Sequence, residues 1–360
     1  MIPVCAPHVA ELELQYLADC AKSGWIGAGP YIERFESEWS TYCGRANGMA
    51  VSNGTVALEL AIKSLDIPVG KKVLLPSFTI ISCALAVIKN GLVPVFVDVD
   101  PSTFCIDPDD VARVIDKDTA AMIVVHMYGH PAPMDHLLAI AKNHGLLVIE
   151  DAAEAHGALY KGRRCGSFGD VSCFSFYSNK IISTGEGGMV LADDPIIADK
   201  VRSYRNLCFG LGADRFIHTG LGGNSRMTNM QAAIGCAQVS QIGEFLNAKK
   251  RMAHVYDDGL EGLSVIRPSI RDGCDPVYWM YGILAKNSKA LAEALRKDGI
   301  DTRPFFYPLH MQPVLAQFTT RPLPVSESIS EFGLYLPSSI DISAEDQKFV
   351  IEAIRRFYGI

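Results

Sequence analysis

The chain has 360 residues, a hydrophobic fraction of 49%, a charged fraction of 20% and a formal net charge of −7, values that fit a globular protein with a sizeable core. The negative charge and the lack of a long basic run argue against a nucleic-acid partner, because phosphate binding needs a basic surface. Ten scattered cysteines without a CxxC pair indicate reduced thiols in a cytoplasmic protein rather than a disulfide framework.

Neither a targeting segment nor a membrane span is predicted. The first residues, MIPVCAPHVAELEL, lack a basic region followed by an apolar core, so we expect no signal peptide. The most apolar stretch, TIISCALAVIKNGLVPVFVDV, is interrupted by Lys89, Asn90, Gly91 and Pro94, whereas a membrane helix needs about 20 uninterrupted apolar residues. We therefore expect a cytoplasmic protein without a membrane partner.

From about residue 50, short β-branched runs alternate with amphipathic segments. This alternation predicts a mostly parallel sheet with helices on both faces. The predicted strands are KKVLLPSF, VPVFVDVD, AAMIVVHMYG and LLVIEDAAEA, and the helices between them are TIISCALAVIKNG and MDHLLAIAKNHG. Ligands of such sheets bind at the carboxyl ends of the strands.

After GGMVLADD the pattern changes. A long helical stretch, weakened at Gly235 and Gly243, is expected to connect to a smaller α+β domain. We predict a large ligand-binding domain at 1–245, with an N-terminal segment that edges the site, and a small domain at 246–360. In the small domain we predict a strand at WMYGILAK and helices at SKALAEALRKDGI and AEDQKFVIEAIRRFYGI.

Asn53, Gly54 and Thr55 stand at the start of the amphipathic helix NGTVALELAIKSL. Backbone amides at a helix N-terminus, with a hydroxyl beside them, favour a phosphate. A plain helix start capped by Thr55 is the alternative. The lysine of a Walker loop is missing, so a nucleoside triphosphate site is not predicted.

Glu150 and Asp151 close the apolar strand LLVIED. Two carboxylates at the end of a buried strand are costly unless a positive group meets them. A magnesium site or a cap for the next helix would explain them. A third explanation is that Asp151 faces a heteroaromatic nitrogen and keeps it protonated, which takes about 4 kcal/mol if the proton is held across three pKa units.

Lys180 lies between an apolar strand and a run of glycines in FSFYSNKIISTGEGGMVL. It is either a solvated lysine at a strand end or a buried amine of lowered pKa that attacks a carbonyl. A phosphate site, Asp151 and a glycine-flanked lysine are together what pyridoxal phosphate (PLP) requires. The phosphate anchors the cofactor, the aspartate makes the ring an electron sink and the lysine forms the Schiff base. Ser175 offers a second hydroxyl to the phosphate.

These residues lie in blocks that resemble the sugar aminotransferases of the DegT/DnrJ/EryC1/StrS family over nearly the whole chain. The blocks are SGWIGAGPYIERFE, VSNGTVAL, LPSFT, VFVDVDP, HMYGH, VIEDAAEAHGA, GSFGDVSCFSFYSNK, TGEGGMV and NSRMTNMQAAIG. The resemblance implies an α/β, fold-type-I PLP-dependent transferase, with a mostly parallel central sheet in a large domain and a smaller C-terminal α+β domain. FSFYSNKIISTGEGGMV, RMTNMQAAIG and TRPFFYPLH are most similar to the GDP-perosamine synthase branch.

The resemblance also implies roles for single residues. Lys180 would form the Schiff base, Asp151 would pair with the pyridine nitrogen, and Glu154 would lie beside the ring near its phenolic oxygen. Gly54, Thr55 and Ser175 would hold the phosphate, helped by Asn224 from the neighbouring subunit of a homodimer with composite sites. Trp25, in a loop edging the site, and His310 are candidate substrate contacts.

Ile80 departs from the family pattern, because relatives often carry an aromatic residue there that stacks on the pyridine ring. Either Ile80 or Phe78 is therefore expected to pack on the cofactor. His126 and His130 in HMYGH have the spacing of a metal pair, but at a strand-to-loop junction they would not share a helical face. We predict no metal site.

The predicted activity is transfer of an amino group from glutamate to a nucleotide-linked 4-keto-6-deoxy sugar. Similarity to the perosamine branch favours conversion of GDP-4-keto-6-deoxymannose to GDP-perosamine, a step of O-antigen and lipopolysaccharide synthesis. A UDP- or dTDP-linked sugar is the alternative. A related sugar dehydratase would carry histidine in place of Lys180, and a non-catalytic ligand sensor would carry an added DNA-binding domain for which 360 residues leave no room.

Overall fold

The computed structural model describes residues 1–210, 212–267 and 269–360. The helices in this part of the chain are α1 Glu11–Ser23, α2 Pro30–Cys43, α3 Gly54–Ser64, α4 Ser82–Lys89, α5 Pro108–Val114, α6 Met134–His144, α7 Pro195–Tyr204, α8 Asn229–Ser240, α9 Ile242–Gly259, α10 Ser288–Lys297, α11 Pro324–Phe332 and α12 Ala344–Phe357. The strands are β1 Asn47–Val51, β2 Lys72–Pro76, β3 Val93–Val97, β4 Thr119–Val125, β5 Leu147–Asp151, β6 Leu159–Tyr160, β7 Arg163–Arg164, β8 Val171–Ser175, β9 Gly188–Ala192, β10 Val265–Ile266, β11 Cys274–Asp275, β12 Tyr281–Ala285, β13 Arg303–Pro304 and β14 Gly333–Leu336.

A seven-stranded sheet in the order β1-β9-β8-β5-β4-β2-β3 forms the centre of the protein. Strands β3, β2, β4, β5 and β8 pair in parallel, whereas β9 is antiparallel to both of its neighbours. The apolar runs of the sequence are buried on both faces here, as expected for a covered parallel sheet. The predicted mostly parallel sheet and the fold class are confirmed.

The topology gathers three chain segments at one edge of this sheet. Strand β5 ends at Asp151 and the adjacent strand β8 ends at Ser175, with Asp151 paired to Cys173 in the parallel register. Helix α3 begins at Gly54, shortly after the end of β1. Because the carboxyl ends of parallel strands open at the same edge, this edge is where a ligand would bind.

A second, smaller core surrounds the four-stranded antiparallel sheet β10-β12-β14-β13. Its apolar residues come mainly from α9, α10, α12 and the sheet itself. Between β13 and β14, however, Phe305, Leu309 and Leu323 pack into the core of the large sheet. Residue 246 lies inside α9, and the division into domains at 245/246 stays a prediction.

Two local expectations are wrong. The long helical stretch after residue 228 is two helices that meet at Gln241, not one helix weakened at glycines. Gly235 lies within α8 because Phe35 packs on it: a Cβ at Gly235 would stand 2.7 Å from the ring of Phe35. The N-cap of α3 is Asn53 and not Thr55, since Asn53 Oδ1 accepts a hydrogen bond of 3.0 Å from the backbone N–H of Val56.

Glu150 braces the loops behind the sheet edge. Its fully buried carboxylate accepts hydrogen bonds from His126 Nε2 at 2.7 Å and from the backbone N–H groups of Gly166 and Phe168. His126 Nδ1 in turn accepts from the N–H of Ala132 at 2.9 Å, so Nε2 carries the proton. Cys165 Sγ lies near this His–Glu pair, but protein donors already occupy both His126 Nδ1 and the carboxylate.

We expect Glu150→Ala to lower the free energy of unfolding by about 3 kcal/mol or more, because three buried donors lose their acceptor. Glu150→Gln keeps one acceptor oxygen and should cost less. Glu352→Ala, at an exposed position of α12, is the matched control and should stay within about 0.5 kcal/mol of the wild type. Denaturant unfolding measures the free energy of unfolding of all three variants. If Glu150→Ala loses no more stability than Glu352→Ala, the buried carboxylate of Glu150 does not stabilise these loops.

Candidate active site

A cavity of about 540 Å³ opens at the carboxyl edge of the large sheet. It is lined by seven of the residues predicted from the sequence: Gly54, Thr55, Ile80, Asp151, Glu154, Ser175 and Lys180. These residues come from helix α3, from the segment before α4 and from the ends of strands β5 and β8 and the loops that follow them. The sequence-distant phosphate, carboxylate and lysine candidates thus face one space.

The N-terminus of α3 forms one end of the cavity. Amides of a first helical turn have no acceptor within their own helix. Thr55 Oγ1 and Ser82 Oγ are 2.8 Å apart, and both residues line the cavity together with Ser175. A Cβ at Gly54 would stand 2.7 Å from the Cβ of Ser175, so the helix start and the end of β8 are in close approach. This set of amides and hydroxyls fits a phosphate.

Asp151 stands at the floor of the cavity with only 3% of its surface exposed. Its Oδ1 accepts from the N–H of Ala153 at 3.0 Å, and its Oδ2 accepts from the Cys83 thiol at 3.2 Å. Burial raises the pKa of Asp151 although these bonds and the charge of Lys180 oppose the shift. The hydrogen bonds and the charge of Lys180 do not fully offset the desolvation of the Asp151 carboxylate. A positively charged ring nitrogen beside it would lower the pKa of Asp151 further, so the position fits such a group.

Lys180 is largely withdrawn from solvent rather than solvated, since only 10% of its side chain is exposed. Its Nζ lies 3.7 Å from Glu154 Oε1 and 3.6 Å from the ring centroid of Trp279. Burial lowers the pKa of Lys180, and the carboxylates of Glu154 and Asp151 oppose this effect. A lysine with a lowered pKa supplies the neutral amine that carbonyl chemistry needs.

Glu154 is the acidic partner of this lysine. Burial raises its pKa to about 7, against the opposing effects of Lys180 and of the Tyr128 N–H, which donates to Glu154 Oε2 at 2.8 Å. The side chain is therefore poised between its neutral and charged forms near neutral pH. It lies beside Lys180 at the cavity wall, and its place next to the cofactor ring stays a prediction.

Three predicted site residues lie outside the lining of this cavity. Trp25 is 57% exposed, and its carbonyl accepts from Asn229 Nδ2. Asn224 is exposed and pairs with Asn206 through the backbone. His310 is 6% exposed, with its ring nitrogens next to Ser77 Oγ at 2.7 Å and Glu327 Oε1 at 3.1 Å. Within one chain, the structure does not bring these residues to the site.

The open question between Ile80 and Phe78 has a geometric answer. Ile80 lines the cavity and is 45% exposed. Phe78 is fully buried and packs against the rings of Phe104, Tyr128 and Phe305 in the core. Ile80 is therefore the residue that can reach a cofactor ring.

Several residues of the cavity were missed by the sequence analysis. They are Ser82, Tyr177, Asn179, Glu186, Trp279 and Phe306. Tyr177, Asn179 and Glu186 lie within a few residues of Lys180, so their proximity to it was the available signal. Trp279 gave no such signal, because it reaches the site from the segment before β12, whose pattern indicates only a strand.

The chain is similar to known proteins over nearly its whole length. The model of the DegT/DnrJ/EryC1/StrS aminotransferase family matches residues 7–355. The chain belongs to this family. GDP-perosamine synthase from Caulobacter vibrioides is 40% identical over 98% of this chain and 97% of its own, and GDP-perosamine synthase from Escherichia coli O157:H7 is 38% identical over 99% of both. The crystal structure of Streptomyces venezuelae DesV in complex with a ketimine intermediate superimposes with a TM-score of 0.92, at 33% identity and 98% coverage of both chains.

The protein is therefore a PLP-dependent sugar aminotransferase of fold type I, and the predicted cofactor is confirmed. The residues present at the cavity fit that cofactor at its phosphate, its ring nitrogen and its reactive carbonyl. Across the described part of the chain, the helices are too short or too polar to cross a lipid bilayer.

The raised pKa of Glu154 makes a pH-dependent prediction for the cofactor-free protein. The folded wild type keeps this proton up to about pH 7, whereas the unfolded chain releases it near 4.5. The free energy of unfolding therefore falls as the pH rises through this window. The Glu154→Gln variant has no carboxyl group to titrate at this position and should not lose this stability. Between the low and the high pH, its free energy of unfolding should therefore rise relative to that of the wild type by on the order of 3 kcal/mol.

Urea unfolding at about pH 5 and about pH 8 measures the change for Glu154→Gln. Glu186→Gln is the matched control, because Glu186 lines the same cavity but is exposed. We expect the stability difference between Glu186→Gln and the wild type to be the same at both pH values. A pH-independent difference for Glu154→Gln as well would show that burial does not raise the pKa of Glu154.

Proposed function

We propose that the protein transfers an amino group from glutamate to C4 of a GDP-linked 4-keto-6-deoxy sugar, and that it makes GDP-perosamine from GDP-4-keto-6-deoxymannose. The observation that carries the proposal is the meeting of Lys180, Asp151 and the N-terminus of α3 in one cavity. The choice of GDP and of the sugar is supported by similarity to the relatives named GDP-perosamine synthase. Such a product belongs to O-antigen and lipopolysaccharide synthesis.

Each side chain has a separate task in this proposal. Lys180 would hold the cofactor between turnovers, and as a free neutral amine it takes a proton from the substrate carbon and returns it as an ammonium. Asp151 holds the proton on the ring nitrogen. Bound PLP supplies the electron sink that makes the substrate carbon acidic. Glutamate and the keto sugar use the same site in turn, which gives ping-pong kinetics.

The remaining contacts follow from position. Gly54, Thr55 and Ser175 hold the phosphate at the start of α3, where the helix dipole favours a negative charge. Glu154 would lie near the phenolic oxygen of the ring, and Ile80 would pack on the face of the ring. These assignments are supported by the lining of the cavity and by the donor groups described above.

We further propose a cytoplasmic homodimer whose two sites each use both subunits. Asn224 is exposed in a single chain, and the preceding segment carries Phe216 and Leu221, which are 79% and 89% exposed. Large apolar side chains clustered on a surface indicate an interface. At a two-fold interface, Asn224 of each chain would reach the phosphate site of the other. All ten cysteines, each within the described residues, are free thiols, which suits a reducing compartment.

A transamination assay with glutamate tests the proposed activity. We expect turnover to be fastest with GDP-4-keto-6-deoxymannose in a panel of GDP-, UDP- and dTDP-linked 4-keto-6-deoxy sugars, and mass and NMR analysis to identify GDP-perosamine. Lys180→Ala should fold and yet be inactive on every substrate, because no other amine replaces its two tasks. Preference for a UDP or dTDP sugar would overturn the nucleotide, and the absence of turnover with the whole panel would overturn the function.

Subunit mixing tests the composite site. Lys180→Ala and Asn224→Asp are each expected to be inactive alone, the second because an added carboxylate repels the phosphate. After subunit exchange about half of the dimers should be mixed, and one site of each mixed dimer carries neither change, so about a quarter of all sites should recover. If labelled subunits exchange and activity does not return, or if Asn224→Asp is active alone, Asn224 does not complete the partner's site.

A further inference from the structure

The indole of Trp279 lies directly against the Nζ atom of Lys180. Trp279 stands before strand β12 of the small sheet and is 5% exposed. The ring centroid is 3.6 Å from Lys180 Nζ. The indole N–H donates a hydrogen bond of 2.7 Å to the carbonyl oxygen of Asn179, the residue before Lys180. One side chain thus contacts both the ammonium of Lys180 and the backbone from which that lysine extends.

Trp279 is held in this position from two sides. Its backbone N–H donates to the carbonyl of Tyr128 at 3.1 Å. Its own carbonyl accepts from Lys249 Nζ at 2.9 Å, and the same ammonium donates to the carbonyl of Ser338. Lys249 lies on α9 and is 2% exposed. The indole is therefore fixed by the small core and by the loop that follows β4, not free to turn away from Lys180.

The groups around Lys180 Nζ leave its positive charge only partly stabilised, and the indole ring can add to that stabilisation. The ionisable groups whose charges act on Nζ are the carboxylates of Glu154 and Asp151 and the thiol of Cys5. Burial and the charge of Lys180 in turn lower the pKa of His156. Glu154 is 3.7 Å away, beyond hydrogen-bond distance. The face of an indole attracts a cation most strongly when the cation is desolvated, and it does so whatever the protonation of the neighbouring carboxylates.

We propose that Trp279 is a further catalytic residue, whose ring face binds the ammonium that Lys180 becomes when it takes the proton from the substrate carbon. The inference rests on the proposed function of Lys180. The step moves one proton: the substrate carbon loses it, Nζ holds it as an ammonium, and Nζ returns it. The attraction between the ring face of Trp279 and Nζ acts in the middle of this sequence, while Nζ is charged.

The proton affinity of Lys180 in the cofactor-free, full-length protein tests the proposal. The rate at which acetic anhydride labels Lys180, followed by mass spectrometry over a range of pH, gives the midpoint at which the amine becomes neutral. Because the ring stabilises the ammonium, removing it should lower the midpoint. We expect a decrease of about one pH unit for Trp279→Leu, tenfold in proton affinity, and a smaller decrease for Trp279→Phe, which keeps a ring.

A second series keeps the shape of the site. Full-length protein made with 5-fluorotryptophan, or with a more highly fluorinated tryptophan, has the same packing but a less negative ring face. The midpoint should fall with each added fluorine. The same fluorinated residues in a Trp279→Phe chain, which still contains Trp25 and Trp39, should leave the midpoint unchanged. This series decides the question if Trp279→Leu does not fold.

A midpoint that does not fall in folded Trp279→Leu, or one that shifts equally with fluorination in the wild type and in Trp279→Phe, would overturn the role of Trp279. The labelling does not depend on turnover. A failure here is therefore distinguishable from a failure of the proposed aminotransfer, which the substrate panel measures.

Discussion

The burial of one ammonium group is the constraint on which the site depends. Moving the charge of Lys180 out of water costs several kcal/mol unless other groups compensate. The protein compensates only in part, with a carboxylate at 3.7 Å and an aromatic face at 3.6 Å, so burial still lowers the pKa of Lys180. A closer ion pair would hold the proton on the lysine more strongly and keep the lysine charged and unreactive. The neighbouring groups therefore offset enough of the desolvation cost for the lysine to be buried. They do not offset so much of it that the lysine stays protonated.

The sequence predicted those parts of the site that the topology of a parallel sheet brings together. Asp151 and Ser175 end neighbouring strands, and Lys180 and Gly54 lie close to such ends along the chain, so short-range patterns sufficed to find them. Cys83 and Trp279 were not found, because their roles depend on which way a side chain on α4 or before β12 points after the two cores pack. In the sequence Cys83 is one of ten scattered cysteines, yet in the structure its thiol donates to Asp151. His310 was selected by resemblance, but within the chain it packs between Ser77 and Glu327.

Contacts from the small core shape the reactive centre of the large one. Lys249 on α9 fixes the carbonyl of Trp279, and Trp279 fixes Lys180. The N-terminal segment also connects the small core to the surroundings of Lys180. The N–H of Ser338 donates to the carbonyl of Val4, and the Cys5 thiol contacts the carbonyl of Asn179 at 3.5 Å. A shift of the small sheet would therefore move the surroundings of Lys180 before it disturbed Asp151, which is held by Cys83 and Ala153 of the large core.

Glu154 and Lys180 together explain how a proton can move in a buried site without a large change of charge. Burial raises the pKa of Glu154 to about 7 and lowers that of Lys180, so the two values approach each other. A proton that passes from Glu154 to Lys180 leaves a carboxylate beside an ammonium, and its return leaves a neutral acid beside a neutral amine. The pair then titrates as a unit. Because the sum of the two charges is the same in both states, the desolvation cost of a charged lysine is limited to the part that Glu154 and Trp279 do not offset.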